Sequence, residues 1–146
     1  MESSHHIIRR LHEEHEATLA LWGRVEQSIV SGKPDPALLR QAAAALAHEV
    51  TRHFEFEEKV LFPRLEAAGE GDIAALLTEE HAAIRSAAMR FSDSLKAGTD
   101  IKSGALELAE RLMSHIQKEE MSLLPALDDL LDEAADRELT EAYLTP

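Results

Sequence analysis

Four long amphipathic segments make up most of this chain, and they constrain its fold more than any other feature. Each repeats its apolar residues at the spacing of one helix face, so each needs a partner to cover that face. Turns rich in glycine or proline separate the segments. The predicted long helices span residues 4–31, 36–67, 72–97 and 101–124, and a shorter one over 126–143 follows Pro125. The sequence therefore predicts an all-α protein, an up-down-up-down antiparallel four-helix bundle with a short C-terminal extra helix.

The composition favours one soluble domain over residues 1–146. This length can bury a core without disulfides, and the chain has no cysteine, which excludes thiol chemistry and cysteine-ligated metal sites. The net charge of −13 argues against nucleic acid and anionic membranes as partners, because both select basic surfaces. No apolar run could span a membrane, and the first residues lack the apolar stretch of a secretion signal. We therefore expect a cytoplasmic protein, whose oligomeric state the sequence leaves open.

A histidine interrupts the apolar face of every long segment. In the second and fourth segments a glutamate follows four residues later, which places it on the same face one turn away. These inward residues are His15, His53, Glu57, His81, His115 and Glu119. Each histidine lies 15 to 18 residues from the neighbouring turn, or about 23–27 Å along a helix. The four imidazoles are therefore expected at one level of the bundle.

The chain also repeats itself. The segment from His53 to Leu65 matches the segment from His115 to Leu127, 62 residues later. The segment from Leu11 to Ala17 matches the segment from Leu77 to Ala83, 66 residues later. We interpret the first two helices as a hairpin that is duplicated in the third and fourth. Two like hairpins packed antiparallel would be related by an approximate two-fold axis.

The inward polar residues need a compensating charge. Two carboxylates buried without cations would cost much free energy, and neutral imidazoles supply no positive charge. One or two divalent or trivalent metal ions would supply it. A donor set rich in imidazole nitrogen and carboxylate oxygen suits iron, zinc, copper or nickel.

Four further glutamates stand near the inward residues but point about 100° around the helix from them. They are Glu14, Glu58, Glu80 and Glu120. We expect them to contact the outer side of the ligands or solvent rather than a metal. Glu120 is the strongest alternative to Glu119 as a ligand.

The remaining histidines lie outside this pattern. His12 and His48 fall off the inward faces of their helices. His5 and His6 are expected in solvent, and the acidic run from Asp128 to Asp136 is expected to form a solvated face of the last helix.

The six inward residues together resemble the metal-binding pattern of the hemerythrin-like domain, also called the HHE cation-binding domain. The motif Glu-Glu-x2-Leu-Phe-Pro at 57–63 and its echo at 119–125 are typical of this family, and the resemblance covers about residues 5–130. It implies a non-haem centre of two iron ions, oxo- or hydroxo-bridged, in which Glu57 and Glu119 bridge the irons. Zinc and manganese are the alternative metals. The duplication adds that each metal takes one histidine from each symmetry-related pair and one oxygen from each glutamate.

Two positions depart from the oxygen-carrying hemerythrins. Leu77 stands where those proteins have a further histidine one turn before His81, and Glu119 stands four residues after His115 where they have an aspartate five residues after. Four protein ligands per metal leave room for small exogenous ligands. The resemblance thus implies a protein that handles oxygen, nitric oxide or peroxide. The alternative is a module that senses or stores iron or oxygen without turnover, so enzymatic activity stays open.

Overall fold

Helices account for nearly all of residues 4–145, the part of the chain that this computed structural model describes. Residues 1–3 and 146 of the expected domain lie outside that part. The helices are α1 (His6–Val30), α2 (Pro36–Glu49), α3 (Phe62–Ala67), α4 (Gly71–Ala97), α5 (Ile101–Lys118), α6 (Leu124–Leu130) and α7 (Glu133–Leu144). No strand occurs within residues 4–145, so the all-α prediction is confirmed. No helix in that range combines the length and apolar character needed to cross a membrane.

Wider π-helical turns join some of these helices. Val50–Phe54 and Glu57–Leu61 connect α2 to α3, and Glu119–Leu123 connects α5 to α6. The two residues between the first pair of turns are also helical. The chain therefore runs as one helical rod over residues 36–67 and as another over residues 101–130, and together with α1 and α4 these make four rods.

The turns between the rods follow from local chemistry. Asp35 accepts hydrogen bonds from the backbone N–H groups of Ala37 and Leu38, at 3.0 and 3.3 Å, and Pro36 begins α2. Both features match the prediction for this helix start. Gly98 ends α4 with a φ of 72°, in the left-handed region where glycine avoids the steric cost of a side chain.

The expected helix end at residue 124 and the expected start at 126 are wrong. The fourth rod continues to Leu130, and α7 begins at Glu133 after extended backbone at Leu131. Pro125 is tolerated because it lies in the first turn of α6, where its missing N–H is not needed by the helix.

Two apolar clusters divide the core along the helix axes. On α1, Leu11 belongs to one cluster and Trp22 to the other, with His15 between them. The same order holds on α4, where His81 separates Leu77 from Ile84. The polar residues thus form a layer that is closed by apolar side chains above and below.

The last helix packs on α1 and caps it. Buried Asp136 accepts hydrogen bonds from the backbone N–H groups of His6 and Ile7, both at 2.9 Å. The Nδ1 atom of His5 lies 2.6 Å from a carboxylate oxygen of Asp128. The expectations that Asp136 belongs to a solvated face and that His5 lies in solvent are therefore wrong. The reason is that α7 folds back onto the beginning of α1.

Candidate metal centre

The structure brings all six inward residues into one buried layer. Each of them is at most 2% exposed. They come from four separate places in the chain, namely α1, the π-helical turns after α2, α4, and the junction of α5 with its π-helical turn. Six polar side chains with no access to water must find their partners within the layer.

Each inward glutamate begins a π-helical turn. The N–H of Phe62 donates to the carbonyl of Glu57, and the N–H of Leu124 donates to the carbonyl of Glu119, five residues back in each case. Pro63 and Pro125 follow at once and have no N–H to continue an ordinary α-helical ladder. These turns were not predicted from the sequence, although the two prolines are a signal for them. Turns of this kind occur often at functional sites.

The six side chains form two groups that share both glutamates. His15 and His53 face one point together with Glu57 and Glu119, and we name it position A. His81 and His115 face a second point with the same two glutamates, which we name position B. Within each group the ligand atoms lie within 4.8 Å of one another. Each group takes one histidine from each symmetry-related pair, as the duplication predicts.

Each glutamate divides its two oxygens between the positions. Oε2 of Glu57 lies 3.0 Å from Nε2 of His53 at A, and Oε1 lies 3.1 Å from Nε2 of His81 at B. Oε1 of Glu119 lies 2.8 Å from Nε2 of His15 at A, and Oε2 lies 3.0 Å from Nε2 of His115 at B. Carboxylates placed in this way can bridge two cations.

The layer leaves buried polar atoms without hydrogen bonds. Among the described residues, these atoms are Oε1 of Glu57, Oε2 of Glu119, and the Nε2 atoms of His81 and His115. All four face position B, at distances of 3.0–3.1 Å but without the alignment of a hydrogen bond. Unpaired donors and acceptors of this kind are costly in a core. When both imidazoles are neutral, the lone pairs of these four atoms converge on one point, so the residues fit a metal cation.

The electrostatic field in the layer is strongly negative. Burial alone would lower the pKa of His15, but hydrogen bonds to Glu119 and Glu120 raise it to about 9. Burial likewise opposes a charge on His81, yet contacts with Glu119 and Glu57 raise its pKa to about 9. Burial would raise the pKa of Glu119, but its histidine partners hold it well below the usual range. Protons and metal ions compete for these same imidazole nitrogens.

A carboxylate holds the outer nitrogen of every inward histidine. Each Nδ1–H donates outward and so directs Nε2 to the centre. The pairs are His15 with Glu120 at 2.6 Å, His53 with Glu14 at 3.1 Å, His81 with Glu58 at 2.6 Å, and His115 with Glu80 at 2.8 Å. These are the four glutamates expected on the outer side of the ligands. Glu120 points away from the centre, which favours Glu119 over it as the bridging residue.

Several groups around the site were not found from the sequence. Tyr143 on α7 donates a hydrogen bond to Glu14, and Glu49 lies 3.3 Å from Nδ1 of His53. His12, which falls off the inward face, contacts Glu120 at 2.6 Å. His48 instead lines a surface cleft of about 240 Å³ beside Glu49 and Tyr143. Of these residues, only His12 could have been found from the sequence, because it lies one turn before His15 on the same helix.

Comparison with known proteins places most of this chain in one family model. The model of the hemerythrin HHE cation binding domain matches residues 6–127, which include the six inward residues and their outer carboxylates. A protein named DNA nickase from Nostoc sp. (strain PCC 7120) is 30% identical over 113 residues, which are 73% of this chain but 31% of that protein. The chain thus spans about a third of that relative's length. No solved structure matches the chain.

Proposed function

The chain belongs to the hemerythrin HHE cation-binding family, and from that premise we propose that it binds two iron ions and handles a small redox ligand at them. The family and the buried layer of histidine and glutamate both point to metal-ion binding. The proposal adds the number of ions, their identity, and the class of exogenous ligand.

One observation carries the two-metal proposal, namely that Glu57 and Glu119 each turn one oxygen to position A and the other to position B. A single ion would occupy position A or position B and would leave the carboxylate oxygens that face the other position buried without a partner. Two ions would satisfy both sides, and each would be held by two imidazole nitrogens and two carboxylate oxygens.

The donor set supports iron. Imidazole and carboxylate suit iron, zinc and manganese, and the chain contains no cysteine that would favour softer metals. Zinc has no redox chemistry, and of the other two metals iron reacts with all three ligands, oxygen, nitric oxide and peroxide. Zinc or manganese in the native protein would overturn this part of the proposal.

Helix contacts support the proposed bundle. α1 packs on α2, α2 on α4, α4 on α5, and α5 on α1, which closes a ring of four helical rods. Short turns join consecutive rods, and such turns make neighbouring helices antiparallel. We propose that these rods form the up-down-up-down bundle, with α7 as the extra helix that covers α1.

The chain's own residues give the site its selectivity. A bound pair of iron ions supplies one- and two-electron chemistry. The protein holds the imidazoles in one orientation through the outer carboxylates. The layer excludes water, because its six residues are at most 2% exposed. Leu77 is fully buried and places an apolar side chain one turn from His81 where a further ligand would otherwise stand. An enclosed site with apolar walls admits a small, weakly charged ligand.

DNA nicking is not part of the proposal. That activity is named for a relative of which this chain spans only 31%. The net charge of −13 also lacks the basic footprint on which binding to a phosphate backbone depends.

The test is metal analysis of protein that is loaded with ferrous iron without oxygen and then desalted. We expect two irons per chain, and close to none in Glu57→Ala and Glu119→Ala because each glutamate serves both ions. His48→Ala is the matched control, since His48 lies outside the layer, and it should keep two irons. One iron per fully loaded chain would contradict the proposal.

A second measurement separates redox handling from sensing or storage. The loaded protein is mixed with hydrogen peroxide, which can serve as both oxidant and reductant, or with nitric oxide and an added chemical reductant, and consumption is followed over many equivalents. We expect turnover that is lost in Glu57→Ala. Binding of two irons without turnover would instead favour the module that senses or stores iron or oxygen.

A further inference from the structure

The six inward residues follow the internal duplication, but the charged residues around them differ between the two hairpins. Glu49, next to His53, corresponds to Arg111 in the second hairpin. In the opposite direction, Arg85 corresponds to Leu19, and Lys118 corresponds to Phe56. The duplicated sequence therefore surrounds two alike sets of ligands with unlike charges.

The surroundings of position A are negative. Glu14 and Glu49 lie 3.1 and 3.3 Å from Nδ1 of His53, and Glu120 holds His15. Arg10 pairs with Glu14 at 3.1 Å. The hydroxyl of Tyr143 also donates to Glu14, but it brings no charge.

The surroundings of position B are neutral. Arg85 donates to both oxygens of Glu58, at 2.7 and 3.3 Å, and Glu58 holds His81. Lys118 donates to Glu80, which holds His115. Each outer carboxylate at B thus has its own permanent cation.

Formal charges make the difference clear. Three carboxylates and one guanidinium lie around the histidines of A, a formal net charge of two negative units with His12, which contacts Glu120, counted as neutral. Two carboxylates and two cations surround the histidines of B, a net charge of zero. Negative charge behind an imidazole makes it a stronger ligand and attracts the cation that it binds.

We propose that the two positions are unequal, and that A takes the first metal ion and holds it more tightly than B. The inference rests on the proposed two-metal function and adds the order of loading. It also assigns Glu49 as a positioning and charge-setting residue for A, and Lys118 as the group that weakens B. The ion at B is consequently the one that exchanges more readily.

The experiment is a calorimetric titration of the metal-free protein with Co²⁺, fitted to two binding steps. Two steps alone do not decide the question, because a first ion repels a second even at identical positions. The decision comes from which step each variant changes. Glu49→Gln should weaken the first step by about 10- to 100-fold and leave the second within about twofold. Lys118→Gln should strengthen the second step by a similar factor and leave the first unchanged.

A matched control removes one negative charge elsewhere. The side chain of Glu138 is 76% exposed, so water and salt screen its charge, and Glu138→Gln should leave both steps unchanged. Circular dichroism of each variant confirms that it keeps its helices.

Two results would overturn the proposed order. If Glu49→Gln changes the second step and Lys118→Gln the first, B loads before A. If each variant changes both steps alike, the positions are equal. Both results leave two ions per chain and so keep the proposed function. A titration that ends at one ion per chain, in contrast, contradicts the function itself.

Discussion

Metal-free protein should become less stable as the pH rises from about 6.5 to about 9. In the folded chain without metal, the pKa of His15 and that of His81 are raised to about 9 from an ordinary 6.5, because Glu57, Glu119 and Glu120 favour the charged imidazoles over the cost of burial. A histidine whose pKa is higher in the folded than in the unfolded chain stabilises the fold fully at pH values below its unfolded pKa. That stabilisation is lost as the pH rises through its folded pKa.

The size of the effect follows from the shift. One pKa unit corresponds to about 1.4 kcal/mol, so one histidine raised to about 9 is worth on the order of 3 kcal/mol. In a chain of this length that loss lowers the melting temperature by about 10 °C. The pKa of His81 is raised to the same value, so its loss of charge adds to that of His15 and the decrease in melting temperature should be at least this large.

The assay is thermal unfolding followed by circular dichroism, on protein stripped with a chelator, at several pH values from 6.5 to 9.5. Glu119→Gln removes the negative partner of His15 and His115, so its melting temperature should depend less on pH. His48→Ala should keep the slope of the parent protein. A melting temperature of the stripped parent that stays constant or increases over this range would refute the reasoning.

With metal bound, the pH dependence of stability reverses. The protein should lose stability as the pH falls below about 6, because protons displace the ions.

Three further substitutions test other parts of the structure. Asp136→Ala removes the cap on α1 and should cost about 1–2 kcal/mol, seen as a lower melting temperature. Tyr143→Phe removes one hydrogen bond to Glu14 and should cost about 1 kcal/mol in the same assay. Leu77→His offers a further imidazole one turn before His81, so the reduced, iron-loaded protein should oxidise more slowly in air by stopped-flow absorption. Equal oxidation rates with and without the added histidine would contradict that role for Leu77.

The residues of the inward layer could be predicted because helical periodicity determines which side chains lie on the same face of a helix. A histidine on an apolar face, and a glutamate four residues later, fix the direction of both side chains once the segment is helical. The duplication then predicts that each position takes one histidine from each symmetry-related pair, and the structure shows which two meet, His15 with His53 and His81 with His115. The outer carboxylates follow from the same geometry, since Glu58 and Glu120 each stand one residue after an inward glutamate.

The remaining contacts join residues that are far apart in the sequence. Asp136 caps a helix start 130 residues away, and Tyr143 reaches Glu14 across 129 residues. No local pattern encodes where α7 docks, so its acidic residues were expected in solvent. The π-helical turns were missed because each changes the helical register by only one residue. The unequal charges around the two positions depend on where Arg85 and Lys118 place their long side chains, which sequence spacing does not fix.

Anomalous diffraction from crystals of the iron-loaded protein, recorded at the iron absorption edge, tests the central claim most directly. Two separate peaks are expected within roughly 4 Å of each other. One should lie against His15 and His53 and the other against His81 and His115, with Glu57 and Glu119 between them. A single peak, or peaks that lie outside this layer, would contradict the account.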